Sequence, residues 1–195
     1  MSLFGLVLAG GASRRMGEDK GRIRYGKLPQ ATAAWQLLSS VCERAFVSIN
    51  ESQRQVAPYA DLPVIVDAGV VRGPAAGLLA AWQLCPEVAW LVLAVDLPRL
   101  DRASLEALIA ARNSRRVATT LRHDDGTLEP LCTIWEPASR SHLAAEVAAG
   151  GSSLRSVLER SSIAVARLTD PARLASVNTA AERAALSALQ IGARS

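Results

Sequence analysis

The sequence has few aromatic residues, only two histidines and no closely spaced cysteines. Phe, Trp and Tyr make up 4% of the chain, which disfavours an all-β fold, since strands are enriched in aromatic residues. The three cysteines, Cys42, Cys85 and Cys132, form no CxxC or Cys/His pattern. We therefore expect three reduced thiols, and we expect neither a zinc site nor a disulfide framework.

Long apolar runs and clusters of one charge are also missing. No apolar stretch approaches the roughly 18 residues of a membrane-spanning helix, and the chain shows no signal-peptide pattern. The net charge is +4, but the basic residues form no stripe and no aromatic platform accompanies them, as nucleic-acid binding would require. We expect a cytoplasmic protein that contacts neither membranes nor nucleic acids.

The length and composition are those of a soluble globular domain. The chain has 195 residues, of which half are apolar, and we expect one domain over residues 1–195. Short apolar runs alternate with segments of helical spacing, which predicts an α/β fold with a mostly parallel sheet covered on both faces. Strands are predicted at Leu3–Ala9, Arg44–Ile49, Pro63–Val66, Trp90–Val95, Arg116–Leu121, Leu128–Trp135 and Ile163–Leu168, and helices at Gln30–Cys42, Gln53–Tyr59, Ala75–Leu84, Ser104–Ala111, Ala138–Ala148, Ser153–Leu158 and Thr179–Leu189.

Glycine or a polar residue follows each of the first four predicted strands. Gly10 and Gly11 follow the first, Asn50 the second, Asp67 the third and Asp96 the fourth. Ligands of open parallel sheets bind beyond the carboxyl ends of the strands. These four strand ends therefore predict a single pocket.

The loop after the first strand combines glycines with cations. Gly10 and Gly11 allow backbone N–H groups to approach a ligand closely, and Arg14, Arg15 and Lys20 follow. This combination is typical of a loop that binds a triphosphate or pyrophosphate, although it matches neither GxxxxGK[ST] nor GxGxxG. A tight strand-to-helix turn with solvated arginines is the alternative.

Asp96 ends a strand that is otherwise apolar, close to the predicted phosphate loop. A carboxylate at such a position can hold Mg²⁺ against phosphate oxygens. An alternative is that Asp96 caps the turn that it forms with Leu97 and Pro98, and Asp67 has a similar alternative.

Residues 8–20, LAGGASRRMGEDK, resemble the signature of the molybdenum cofactor guanylyltransferases. LAGG together with Asp19-Lys20 separates this family from sugar nucleotidyltransferases and cytidylyl-transferring relatives, which more often have LAAG and lack the Asp-Lys pair. The likeness continues through Val47–Asn50, Asp67, GPAAG at 73–77, VDLP at 95–98, EPL at 129–131 and SVNT at 176–179. It implies a three-layer Rossmann-like nucleotidyltransferase fold with a mostly parallel central sheet.

The resemblance implies an enzyme that transfers GMP from GTP to the terminal phosphate of molybdopterin. Molybdenum cofactor guanine dinucleotide and pyrophosphate would be the products, and Mg²⁺ the cofactor. Transient contacts with molybdenum cofactor carrier proteins or recipient enzymes are also implied. A cytidylyltransferase for the same cofactor and a non-catalytic protein that binds nucleotide or molybdopterin are the alternatives.

The resemblance also assigns roles by position. Catalytic roles fall on Arg15 and Lys20, which would bind the β- and γ-phosphates, and on Asp96, which would hold the metal. The substrate-binding positions are Leu8, Ala9, Gly10, Gly11, Lys20, Asn50, Asp67, Asp96 and Asn178, with Asn178 near the pterin or metal side. Ser176 departs from the Asn-Val-Asn that the family often has, and Ala75 replaces a bulkier residue.

Overall fold

A computed structural model of the chain describes residues 2–10, 19–67, 71, 73–177 and 182. The described strands are β1 Leu3–Leu8, β2 Arg44–Ile49, β3 Val64–Val66, β4 Ala89–Ala94, β5 Ala118–Arg122, β6 Leu128–Trp135 and β7 Ile163–Ala166. They form one seven-stranded sheet in the order β3-β2-β1-β4-β6-β5-β7. Within it, β6 runs antiparallel to β4 and β5, and the other neighbouring pairs are parallel.

Helices cover both faces of this sheet and produce three layers. Successive side chains of a strand point to opposite faces, and β1 shows the consequence: Val7 packs in one apolar cluster while Leu6 and Leu8 pack in another. The helices are α1 Gln30–Ser39, α2 Pro74–Leu84, α3 Arg102–Ala110, α4 Ser139–Ala148 and α5 Leu154–Glu159. The first cluster includes residues of α1 and α3, and the second includes residues of α2, α4 and α5.

The fold class predicted from the sequence is confirmed. All seven predicted strands are present, with β2 and β6 at the predicted bounds. The turn between β5 and β6 reverses the chain at Gly126, whose φ of +87° is one that glycine adopts without strain. The helix predicted at Thr179–Leu189 lies outside the described residues.

The helix predicted at Gln53–Tyr59 is wrong. Two single 3₁₀ turns stand there instead, at Glu51–Gln53 and Tyr59–Asp61. Pro58 has no N–H to donate and disfavours helical backbone at the residue before it, so a helix cannot continue through this segment. Tyr59, which begins the second turn, is fully inaccessible to solvent.

Helix α2 lies unusually close to the sheet. A Cβ added at Gly77 would overlap Ser48 Oγ and would come within 2.7 Å of Leu8 Cδ2. Because Leu8 and Ser48 lie at the carboxyl ends of β1 and β2, this contact fixes the start of α2 beside the strand ends. None of the described helices is long and apolar enough to cross a membrane.

We expect Gly77→Ala to lower the free energy of unfolding by about 1–3 kcal/mol, because the helix must move away from the sheet to accommodate the methyl group. Urea denaturation would measure the change. Gln83→Ala, at an exposed position of the same helix, is the matched control and should change stability by less than about 0.5 kcal/mol. Equal stability of Gly77→Ala and the wild type would contradict the tight packing of α2.

Candidate active site

The ends of β1, β2 and β3 meet at Gly10. The backbone N–H groups of Ala9 and Gly10 both donate to the carbonyl of Ser48, over 3.0 and 2.9 Å. A Cβ added at Gly10 would lie 3.2 Å from Asp67 Oδ2 and 3.4 Å from the backbone nitrogen of Asn50. Three of the four predicted strand ends therefore adjoin one another, and glycine at position 10 leaves room between them.

The fourth strand end joins the site through an ion pair. Lys20 Nζ lies 3.4 Å from Asp96 Oδ2, and each side chain is 22% exposed. These residues are 76 positions apart in the chain, and the strands that precede them, β1 and β4, pair in parallel and therefore end at the same edge of the sheet. The structure thus places a cation of the first loop beside the carboxylate at the end of β4.

The second carboxylate oxygen of Asp96 differs from the first in its contacts. Asp96 Oδ1 is buried and has no hydrogen-bond partner within the described part of the chain. A buried carboxylate oxygen without a partner is costly, so such an atom commonly marks a site that a ligand or ion completes. Proteins typically hold Mg²⁺ with one or two carboxylates plus substrate phosphates, and Asp96 fits that pattern. No group of three or more metal-binding side chains occurs among the described residues.

The segment before residue 178 lies against the end of β4. The Val177 N–H donates to the carbonyl of Asp96 over 2.9 Å, and Arg173 Nη1 donates to the carbonyl of Arg99 over 3.3 Å. Arg173 also pairs with Asp101 at 2.9 Å. Arg173 and Val177 therefore hydrogen-bond to the backbone at and just after Asp96.

Comparison with known proteins agrees with this architecture. Residues 5–167 match the model of the MobA-like NTP transferase domain. The chain belongs to this family. Among its relatives is the molybdenum cofactor guanylyltransferase of Pseudomonas aeruginosa strain PAO1, which is 36% identical over 73% of this chain and 70% of the relative.

A second relative is larger. The molybdenum cofactor biosynthesis bifunctional protein of Synechocystis is 43% identical to this MobA-like transferase over 136 residues, which cover 69% of the chain but only 39% of that protein. Among solved structures, molybdopterin-guanine dinucleotide biosynthesis protein A of Archaeoglobus fulgidus superposes with a TM-score of 0.81 at 18% identity, covering 97% of this chain and 99% of that one. The structural likeness supports the three-layer fold.

Several predicted site residues of the MobA-like transferase lie at the sheet edge. Leu8 is buried, and its carbonyl accepts a hydrogen bond from Val95 N–H over 3.4 Å. Asn50 Oδ1 accepts from Ser52 Oγ over 2.6 Å, and Asp67 N–H donates to the carbonyl of Ile49 over 2.9 Å. Gly11, Arg15 and Asn178 lie outside the described residues, and their assigned roles stay predictions, as do those of the residues above.

Sequence reasoning missed Gln53 and Tyr59 as part of this region, and used Asp19 only as a family signature. Gln53 is 8% exposed and Tyr59 is fully buried, and both donate hydrogen bonds to the carboxylate of Asp19. One signal was present: Asn50 and Gln53 have the three-residue spacing of a helix capping box. Gln53 Oε1 does accept from the Asn50 N–H, over 3.0 Å.

We expect Gly10→Ala to weaken the binding of a nucleoside triphosphate at least tenfold, because the new methyl group presses on Asp67 and the Asn50 backbone. Gly10 does not have a positive φ, so alanine adds no backbone strain, and the effect should appear in binding more than in stability. Calorimetric titration would measure the affinity. A loss of melting temperature without a loss of affinity would contradict the site.

Proposed function

We propose that this chain transfers GMP from GTP to the terminal phosphate of molybdopterin, releasing pyrophosphate. The observation that carries the proposal is the pairing of Lys20 with Asp96 at 3.4 Å, beside the strand end at Gly10. A loop cation and a carboxylate suited to a metal, brought together at one sheet edge, form a site for a triphosphate. The similarity to the molybdenum cofactor guanylyltransferase of Pseudomonas aeruginosa supports molybdopterin as the acceptor.

The proposed reaction is a displacement at phosphorus. An oxygen of the acceptor's terminal phosphate forms a bond to the α-phosphorus of GTP, and the bond from that phosphorus to the bridging oxygen of the β-phosphate breaks. The electron pair of the broken bond leaves with pyrophosphate. Because the attacking oxygen is already anionic, the reaction needs positioning and charge stabilisation more than a general base.

Lys20 has the charge and reach for the leaving group in this proposal. A lysine ammonium is a compact charge on a flexible stem, so Lys20 can turn from Asp96 to the β- and γ-phosphates while it stays at the same edge. Arg15, in the same loop, would add a second positive charge. Negative charge accumulates on the departing pyrophosphate, and cations fixed beside it lower the barrier.

Asp96 would hold Mg²⁺ through the oxygen that has no protein partner in the described part of the chain. When bound, Mg²⁺ offsets charge on the phosphate oxygens. The contribution of the chain is to orient the carboxylate: Lys20 contacts one of its oxygens, and the Val177 N–H fixes the backbone of Asp96.

Pyrophosphate release with Mg²⁺, molybdopterin and each nucleoside triphosphate tests the proposal. We expect release with GTP that depends on the acceptor. A rate at least tenfold higher with CTP would identify a cytidylyltransferase instead. Binding of GTP without release in the presence of acceptor would identify a non-catalytic binding protein.

We expect Lys20→Ala and Asp96→Ala each to lower turnover a hundredfold or more, which corresponds to roughly 3 kcal/mol of transition-state stabilisation. Asp96→Ala should also flatten the dependence of the rate on Mg²⁺ concentration. Steady-state kinetics at several Mg²⁺ concentrations would measure both effects.

Two exposed residues provide matched controls for these variants. Lys27→Ala removes the other lysine of the sequence and Asp124→Ala removes a turn aspartate, and both positions are exposed. Neither control should change turnover by more than about twofold. Rates near the wild-type value for Lys20→Ala or Asp96→Ala would refute the roles proposed for these residues.

A further inference from the structure

Asp19, immediately before Lys20, is held by several hydrogen bonds. Its Oδ1 accepts from the Gly21 N–H over 2.9 Å and from the Tyr59 hydroxyl over 2.7 Å, and its Oδ2 accepts from Gln53 Nε2 over 2.7 Å. Hydrogen bonds to a carboxylate are stronger than those between neutral groups. Asp19 is therefore an anchor for the 3₁₀ turn Lys20–Arg22.

Gln53 connects this anchor to the ends of two strands. Besides Asp19, its Nε2 group donates to the carbonyl of Ala9 over 3.2 Å, while its Oε1 accepts from the Asn50 N–H over 3.0 Å. Ala9 follows β1 and Asn50 follows β2. One buried amide thus joins the first loop to both neighbouring strands.

The chemistry of these contacts selects glutamine. Two acceptors, the carbonyl of Ala9 and the carboxylate of Asp19, face its NH₂ group, and one donor faces its oxygen. A glutamate at this position could not donate to Asp19 when ionised, and it would place two like charges in contact. Methionine has a similar volume but makes none of the three hydrogen bonds.

Tyr59 donates a hydrogen bond to the other carboxylate oxygen of Asp19, Oδ1. Its ring is fully buried, and a Cβ at Gly21 would overlap its hydroxyl oxygen. Burial, together with the hydrogen bond to Asp19, raises the pKa of Tyr59 above its ordinary value. The hydroxyl therefore keeps its proton and stays a donor to Asp19.

We infer that Gln53 is a positioning residue: with Tyr59 it fixes Asp19, and through Asp19 it sets Lys20 at the carboxylate of Asp96. The kinetic test of this inference rests on the proposed function, because that function makes Lys20 a phosphate-binding cation. The placement of Lys20 itself can be measured without any substrate.

The placement test uses the small number of lysines. The sequence contains two, Lys20 and Lys27, so labelling lysine with ¹³C at Cε gives two side-chain signals in an NMR spectrum. We expect Gln53→Met and Tyr59→Phe each to move the Lys20 signal toward that of a solvated lysine, while the signal of exposed Lys27 stays unchanged. An unchanged Lys20 signal in both variants would overturn the inference whatever the protein catalyses.

The kinetic test is a double-mutant cycle with Lys20→Met. We expect Gln53→Met to lower kcat/KM about tenfold when Lys20 is present and less than threefold when it is replaced, since residues that act together are not additive. Equal losses in both backgrounds would mean that Gln53 acts independently of Lys20, and would overturn the inference.

Two further variants separate positioning from general damage. Gln30→Met removes another glutamine that is also 8% exposed but makes none of these contacts, and it should leave kcat/KM within about twofold. Tyr59→Phe removes a single oxygen, so it carries the cycle if Gln53→Met does not fold. If the wild type releases no pyrophosphate from GTP, the proposed function fails, and the Lys20 signal still decides the inference.

Discussion

Parallel pairing of β1 between β2 and β4 is the constraint on which the site depends. Leu8 pairs with Ser48 on one side and with Ala94 on the other, so the residues that follow these three strands emerge at one level. Because side chains on both faces of β1 are buried, a register shift of one residue would turn its apolar side chains to the wrong layers. The core therefore fixes where Gly10, Asn50 and Asp96 can lie.

Two segments that are distant in sequence both contact Asp96 on this framework. The turn at Lys20–Arg22 brings the cation to Asp96, and the segment ending at Val177 hydrogen-bonds to the Asp96 backbone. In the proposed reaction, the first would serve the triphosphate and the second would lead to the acceptor side. Asp96 is the residue that both segments contact.

The mostly parallel sheet and the polar residues that follow its first four strands could be predicted because each depends on local pattern. Apolar runs bounded by glycine or aspartate define β1 and β4, and parallel pairing then brings their ends together. The hydrogen bonds of Asp19 could not be predicted, because its partners Gln53 and Tyr59 are 34 and 40 residues away. The spacing of Gln53 and Tyr59 does not indicate that both side chains face the first loop. The prediction of one helix over Gln53–Tyr59 also gave no reason to expect these contacts.

Two carboxylates near the strand ends, Asp19 and Asp96, differ in how far their oxygens are satisfied by hydrogen bonds. Asp19 accepts three hydrogen bonds, to both of its oxygens, and so has little capacity left for a ligand. Asp96 has one oxygen beside Lys20 and one that is buried without a described partner. Within the described residues nothing satisfies that second oxygen, and an unsatisfied buried oxygen opposes folding. In the proposed reaction, a metal ion bound together with a triphosphate would satisfy this carboxylate.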